Sequence, residues 1–266
     1  MRRFILHPVI LFGALLVAPE LTSAESGVNA RDVMEHNFVA SKVSAFNGSV
    51  SIVLTTAQGQ ERVRKLKMWS RLKDKSTDSE VLLRFEQPGD IKGTGFLQIE
   101  NAAADDDIWV FLPALGKTRR LVANAKRDSF FGTDFSYGDV LLPPVNKYEH
   151  TYVRSEQFDG ANCDVIESKP KDGKTRDEIG YSRKVIWLDA ANHVERKVEY
   201  YDLSGNLLKT QHAFDIQQVE PQRFIPKRRE MVNHQTGHKT LYQMDSITLD
   251  RQLNDEFFST RNLERS

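Results

Sequence analysis

Four groups of side chains have the types and spacing that chemistry asks for. Asp105-Asp106-Asp107 concentrates three carboxylates, the hard oxygen donors that calcium and magnesium take. Calcium loops, however, space their ligands and turn on a glycine, so the acidic run reads as a solvated hairpin tip. His234 and His238 are four residues apart, a metal-like separation when both lie on one helix face. Thr236-Gly237 between them marks a turn instead, and no acidic residue is placed beside them, so the pair predicts a surface hairpin. His150 and His212 fall inside predicted strands and read as structural. Gly93-Thr94-Gly95 is too short for a phosphate loop and opens no helix. The chain contains no G-x-S-x-G elbow, P-loop or H-E-x-x-H. Its single cysteine, Cys163, rules out an internal disulfide and a cysteine-based zinc site. These residues predict a protein that is not an enzyme, with no catalytic residues, no metal and no cofactor.

Cations are the remaining candidates. Lys117, Arg119 and Arg120, with Arg127 nearby, form a small basic cluster. A guanidinium grips a carboxylate or phosphate bidentately, which makes Arg119 and Arg120 possible head-group contacts. Alternation along a strand puts them on opposite faces, so at most one can face a cavity mouth. The alternative is a solvated strand end. Lys227-Arg228-Arg229 follows Pro226 and predicts an exposed sheet edge that resists aggregation. Over the 266 residues Lys+Arg and Asp+Glu balance at 37 each, so no net field draws the protein to nucleic acid or to anionic lipid.

The elements that must position these groups are nearly all strands. The stretch from Asp90 to Leu142 organises the chain. Phe96-Leu97-Gln98-Ile99, then Ile108 to Leu112, then Thr118 to Val122 read as short antiparallel strands between Gly, Pro and Asp/Asn turns. The middle one is apolar on both faces and predicts a central strand covered on both sides. Ser129 to Asp139 follows, with Phe130, Phe131, Phe135 and Tyr137 set among glycines and small polar residues. It is too interrupted for a core element and too apolar for an ordinary loop, and it predicts a lid over an apolar surface.

At the N-terminus Met1-Arg2-Arg3, an apolar run to Ala18 and Thr22-Ser23-Ala24 predict a signal peptide over residues 1–24. The apolar run is shorter than the ~20 residues of a spanning helix. Residues 25–266 are then one exported domain. Val28 to Val43 predicts an amphipathic helix. Val50, Ile52 and Leu54 alternate, as do Leu66 and Met68 opposite a mostly charged face, and Val81, Leu83 and Phe85. Strands resume at Tyr148–Phe158, Cys163–Lys169, Lys184–Leu188, Val194–Tyr201, Leu207–Val219, Phe224–Asn233 and Lys239–Leu249, with a long exposed loop over 168–182 and a closing helix over 253–263. The fold class is mainly β (α+β): a large curved antiparallel sheet. A sheet of about a dozen strands curls, splits or closes. Its concave apolar face is either a filled core or a ligand cavity under a lid.

The phrases IKGTGFL, WVFLPALGKTRRL and DSFFGTDFSYGD, in that order, resemble the LolA-like outer membrane lipoprotein-sorting protein family. The resemblance is strongest over residues 60–145. It implies an unclosed half-barrel around a helical and aromatic lid, in the periplasm, holding acyl chains in a hydrophobic cavity. On that reading Leu66, Met68, Val81, Leu83, Phe85, Leu97 and Ile99 line the cavity and Phe130, Phe131, Phe135 and Tyr137 form the lid. The partners expected for a monomeric carrier are a lipid or acylated lipoprotein cargo and an inner-membrane transporter. Two other readings stand beside it: an accessory binding module of a resistance-nodulation-division exporter, and a periplasmic hydrolase of unrecognised type.

Overall fold

A computed structural model describes residues 27–73, 77–101, 104–142 and 144–265. The expected signal peptide lies outside the described residues. Helix α1 (Ala30–Ala40) starts at Asn29, whose side chain accepts from the Arg31 amide. Six strands then run outward one hairpin after another: β1 (Ala45–Thr55), β2 (Glu61–Leu72), β3 (Ser79–Gln87), β4 (Gly95–Ile99), β5 (Asp107–Leu112) and β6 (Lys117–Arg120). A segment with one short helix, α2 (Tyr137–Val140), leads to β7 (Tyr148–Phe158) and β8 (Ala161–Pro170). After helix α3 (Gly173–Ile179) come β9 (Arg183–Asp189), β10 (Glu195–Tyr201), β11 (Leu207–Glu220), β12 (Arg223–Asn233) and β13 (Lys239–Leu249), and α4 (Thr260–Leu263) closes the described chain.

All of these strands join one 13-stranded antiparallel sheet in the order β6-β5-β4-β3-β2-β1-β13-β12-β11-β10-β9-β8-β7. The chain therefore begins in mid-sheet, meanders to one edge, and re-enters at the other. β6 and β7 are consecutive in sequence but form the two opposite edges. Residues 121–147 must cross the whole sheet between them. Twist curls a sheet of this width, and it stays unclosed, so the crossing runs over the concave face.

The inner face is built from cross-strand ladders. Leu66 stands opposite Val50 and Phe85, and Leu83 stands between Met68 and Phe96, which in turn faces Val110. The outer face carries its own ladder, Trp69–Leu82–Leu97–Trp109. Phe257, Phe258 and Leu263 of the C-terminal segment cover it and make a second core. Gly95 allows that approach: a Cβ there would stand 2.5 Å from Leu263 Cδ1.

Several expectations are corrected by this register. Leu97 and Ile99, expected in the cavity, belong to the outer core. Phe96 and Leu97 are both apolar and buried, so alternation alone cannot tell which is inward, and a slip of one residue inverts the strand. β5 is covered on both faces, by the inner core at Ile108 and Val110 and the outer core at Trp109 and Phe111, but it lies next to an edge rather than at the centre. The outer face of β2 is wet only over its first half, because Trp69 joins the outer core. The loop expected over 168–182 contains α3, capped by Asp172 at its start and by left-handed Gly180 at its end, with Ile179 buried. The expected edge at Lys227-Arg228-Arg229 lies inside the sheet, on β12 between β11 and β13.

Candidate functional site

The crossing segment meets the sheet in two different ways. Over β2 to β5 it plugs the concave face. Phe131 and Gly132 have φ of 49° and 76°, a left-handed pair in which glycine is at ease and phenylalanine is not. The Ser129 hydroxyl donates to the Thr133 carbonyl at 2.6 Å and the Thr133 hydroxyl to the Phe130 carbonyl at 2.8 Å. Arg64, reaching up from β2, donates to the Phe131 carbonyl. This turn drives Phe130 and Phe131 inward. Their rings meet Phe96 at 5.5 Å and Phe85 at 5.0 Å, and Tyr137 lies 5.3 Å from Phe130. Such edge-to-face pairs add about 0.5–1.5 kcal/mol each beyond their burial. Leu66, Leu83 and Phe85 belong to the core this plug completes.

Beyond the plug the face is not filled. One hollow of about 170 Å³ lies between the crossing segment and β1, β2, β12 and β13, lined by Val43, Phe46, Met68, Phe135, Leu142 and Met244 among others. A second, of about 70 Å³, lies beneath α1, whose Met34, Asn37 and Phe38, with Ser41 at its C-cap, close it against Leu141, Tyr148, Ile186 and Val198. The two share Ser41, Asp139, Leu142, Pro226 and Arg229. They are thus two arms of one space. α1 is tied down over it by Asn37, whose Nδ2 donates to the His193 carbonyl at 2.7 Å.

Charge is concentrated where the arms meet. Ser136 caps α2 and Asp139 sits three residues on, forming a capping box. The Asp139 side chain is 0% exposed and accepts from Lys209 Nζ at 2.6 Å, from the Ser136 amide at 2.7 Å and from the Tyr181 hydroxyl at 3.0 Å. Burial pushes its carboxyl up, but Lys209 and Lys184 more than offset this and hold it below its ordinary value. The Lys184 ammonium lies 5.0 Å from the Tyr200 ring, 5.5 Å from Tyr181 and 5.9 Å from Tyr148. Burial lowers its pKa, and Asp139 and Glu195 oppose that. The hydroxyl of Tyr148 is buried with no hydrogen-bond partner among the described residues, and burial raises its pKa, so it remains a donor.

Of the residues picked out by sequence, Met68 and Phe135 line this space. Leu66, Leu83, Phe85, Phe130, Phe131 and Tyr137 lie in the plugged core, with Val81 half-buried against it. Arg119 and Arg120 line neither arm: both are exposed, and Arg120 pairs with Asp107. Asp106 accepts weakly from the Asn101 amide at 3.3 Å, while His234 contacts the Thr210 hydroxyl at 2.8 Å beside an exposed His238. Asp139, Tyr148, Lys184 and Arg229 were missed. The signals were present: Ser136-Tyr137-Gly138-Asp139 has capping-box spacing, Lys184 alternates with Ile186 and Leu188, and Arg229 alternates with buried Met231.

An unclosed antiparallel half-barrel whose concave face is crossed by its own chain, with an apolar space beneath, defines a LolA-like fold. Residues 77–265 match the model of a family described as "-like: Uncharacterized protein", and the chain belongs to that family. It is similar to a domain described as outer membrane lipoprotein-sorting from Vibrio parahaemolyticus, with 28% identity, a TM-score of 0.81, and 89% of this chain and 98% of that one covered. A DUF1329 family protein from Desulfovibrio piger is 25% identical with a TM-score of 0.80, covering 88% of this chain and 97% of that one. A LolA superfamily protein from Nitrosomonas europaea shares the fold at 20% identity, with a TM-score of 0.68 and coverage of 88% and 99%. Among curated proteins none matches.

Proposed function

We propose that this protein is a periplasmic carrier that takes an acyl chain into the space between α1, the crossing segment and the sheet. The observation that carries the reading is that space itself: two adjoining arms with apolar walls and a charged junction, on the concave face beside the aromatic plug. No described helix is long and apolar enough to cross a membrane, and the resemblance to a lipoprotein-sorting domain supports cargo with acyl chains. The action is passive and no bond is made or broken.

The arms as they stand, about 70 and 170 Å³, fall below the roughly 300–1,000 Å³ of a ligand pocket. Cargo therefore enters only as α1 or the crossing segment moves outward. About ten methylenes at about 0.8 kcal/mol each would gain about 8 kcal/mol, against an association cost of roughly 4–15 kcal/mol. The tail alone gives weak binding, and polar contacts must supply the rest.

The test is mass spectrometry of material extracted by organic solvent from protein purified without detergent, with binding of a fluorescent fatty acid as a second measure. A lipid or acylated peptide at near-stoichiometric amount is expected. Protein that carries no acyl compound and binds no probe would end the carrier reading.

A further inference from the structure

We propose that the ligand is an amphiphile with an anionic head, a carboxylate or phosphate, gripped by Lys184 and the Tyr148 hydroxyl in the arm beneath α1 and by Arg229 where that arm meets the other. This rests on the carrier reading and specifies its cargo.

The inference begins with the charges that line the space. Lys42 is paired with Glu100, and Asp139 with Lys209. Lys184, Arg229 and Glu195 have no hydrogen bond or ion pair among the described residues. Two cations thus face one carboxylate, and one positive charge is left without a counter-ion beside apolar walls. A partly buried cation needs a partner that shares its surroundings. The rings of Tyr148, Tyr181 and Tyr200 around Lys184 favour a cation but accept no hydrogen bond in their planes.

Tyr148 points to the same ligand by a separate route. It is 6% exposed, lines the arm beneath α1, and its hydroxyl has no partner among the described residues. With an ammonium and a guanidinium it makes three donors against the single unpaired carboxylate of Glu195, an excess that reads an oxyanion. Asp139 does not oppose the anion, because its carboxylate is already held by Lys209, Tyr181 and Ser136. Arg229 lines both arms, so a head at Arg229 sits where chains can run either way. A free inorganic ion would use the donors and leave the apolar walls idle.

The experiment compares matched pairs of probes on the full chain by equilibrium dialysis. Palmitate is set against methyl palmitate, and lysophosphatidic acid against monoacylglycerol, with inorganic phosphate alone as a third arm. Each anion is expected to bind at least tenfold tighter than its neutral partner, and the tighter of the two names the source of the oxyanion. Arg229→Gln and Lys184→Met should reduce that preference, read as the anion-to-neutral ratio within each variant, below threefold. Arg229 holds no partner that its loss would strand, so Arg229→Gln serves as the test even if Lys184→Met does not fold, and Arg229→Lys should restore part of the preference. Equal binding of acid and ester by the wild type, or an undiminished preference in Arg229→Gln, overturns the anionic head while leaving the carrier standing. Inorganic phosphate binding as tightly as lysophosphatidic acid overturns the amphiphile in favour of a free-ion site. Failure to bind any of the acyl probes ends both readings.

Discussion

The two halves of the concave face are made from the same kind of strand and are completed in opposite ways. Over β2 to β5 the inward residues Leu66, Leu83, Phe85, Phe96 and Val110 are covered directly by Phe130, Phe131 and Tyr137. Over β8 to β12 the inward positions include Lys184, Tyr200, Lys209 and Arg229, and the cover is α1 with Leu141 and Leu142. The first half closes on an aromatic plug tied to β2 by Arg64, whose guanidinium donates to the Phe131 carbonyl, and reads as the frame. In the second, several charges gather around an open space and the hydroxyl of Tyr148, which lines it, has no partner among the described residues, whereas the unpartnered Nε of Arg64 in the first half belongs to a side chain already bound to the plug. Proteins rarely tolerate that without a use for it, and this is why the second half, and not the aromatic plug, is taken as the binding half.

The largest expected effect breaks the frame. Leu83 is 5% exposed between Met68 and Phe96. In a filled core the charge of Leu83→Arg has no refuge, and an unpaired buried charge costs several kcal/mol of a total stability of about 5–15 kcal/mol. The variant should be insoluble or unfolded by circular dichroism. If it is folded and merely fails to bind a fatty-acid probe, the ligand space extends beneath the plug and the contrast between the halves is wrong.

Next in size is Asp139→Asn, which acts on the other half. The carboxylate ties α2 to β11 through Lys209 and to Tyr181 beyond α3. Removing its charge leaves the buried Lys209 without a counter-ion, a loss of about 3–5 kcal/mol for a broken buried pair. Urea unfolding should show this as a lower midpoint. A variant as stable as the wild type would mean that the junction is wet and that its charges are screened.

Many strand bounds were legible in the sequence, while the charged site was not. β7 and β13 match the expected strands at both ends, because each alternates and is bounded by turn residues. That the aromatic segment lies on an apolar surface was legible, because four aromatics in a glycine-rich stretch have few other places to go, but Phe130, Phe131 and Tyr137 fill a core where a lid over a cavity was expected. Leu97 was misplaced because β4 is buried on both faces, and the C-terminal segment that covers its outer face lies far away in sequence. Arg229 was misread for a similar reason. A basic run after a proline resembles an edge, and only the pairing of β12 with both β11 and β13 shows that one of its members points into the sheet's hollow. Strand alternation tells which residues share a face; long-range topology decides what that face meets.

The smallest effect concerns the latch on α1. His193 sits in the turn between β9 and β10 with φ of 58°. Its carbonyl holds Asn37, its ring stacks on His36 at 4.9 Å, and its Nδ1 is buried without a partner among the described residues. Burial, and then the charge of His36, lowers its pKa, and burial likewise lowers those of His150 and His212. For a base whose folded value is depressed, both states are neutral above the unfolded value of about 6.5, and the fold there bears no penalty. As pH falls below about 6.5 the unfolded chain takes the proton first, so stability declines toward the lowered folded value. One proton gives at most about 1.4 kcal/mol per pH unit, and partial exposure of the ring reduces this through screening. His193→Asn keeps a residue that accepts the left-handed backbone and removes the titration. Unfolding free energies measured from pH 7.5 to 5 should fall less steeply in this variant than in the wild type, while binding of a fatty-acid probe at pH 7.5 is retained. Equal slopes would show that the His36–His193 stack does not couple the cover of the binding half to pH.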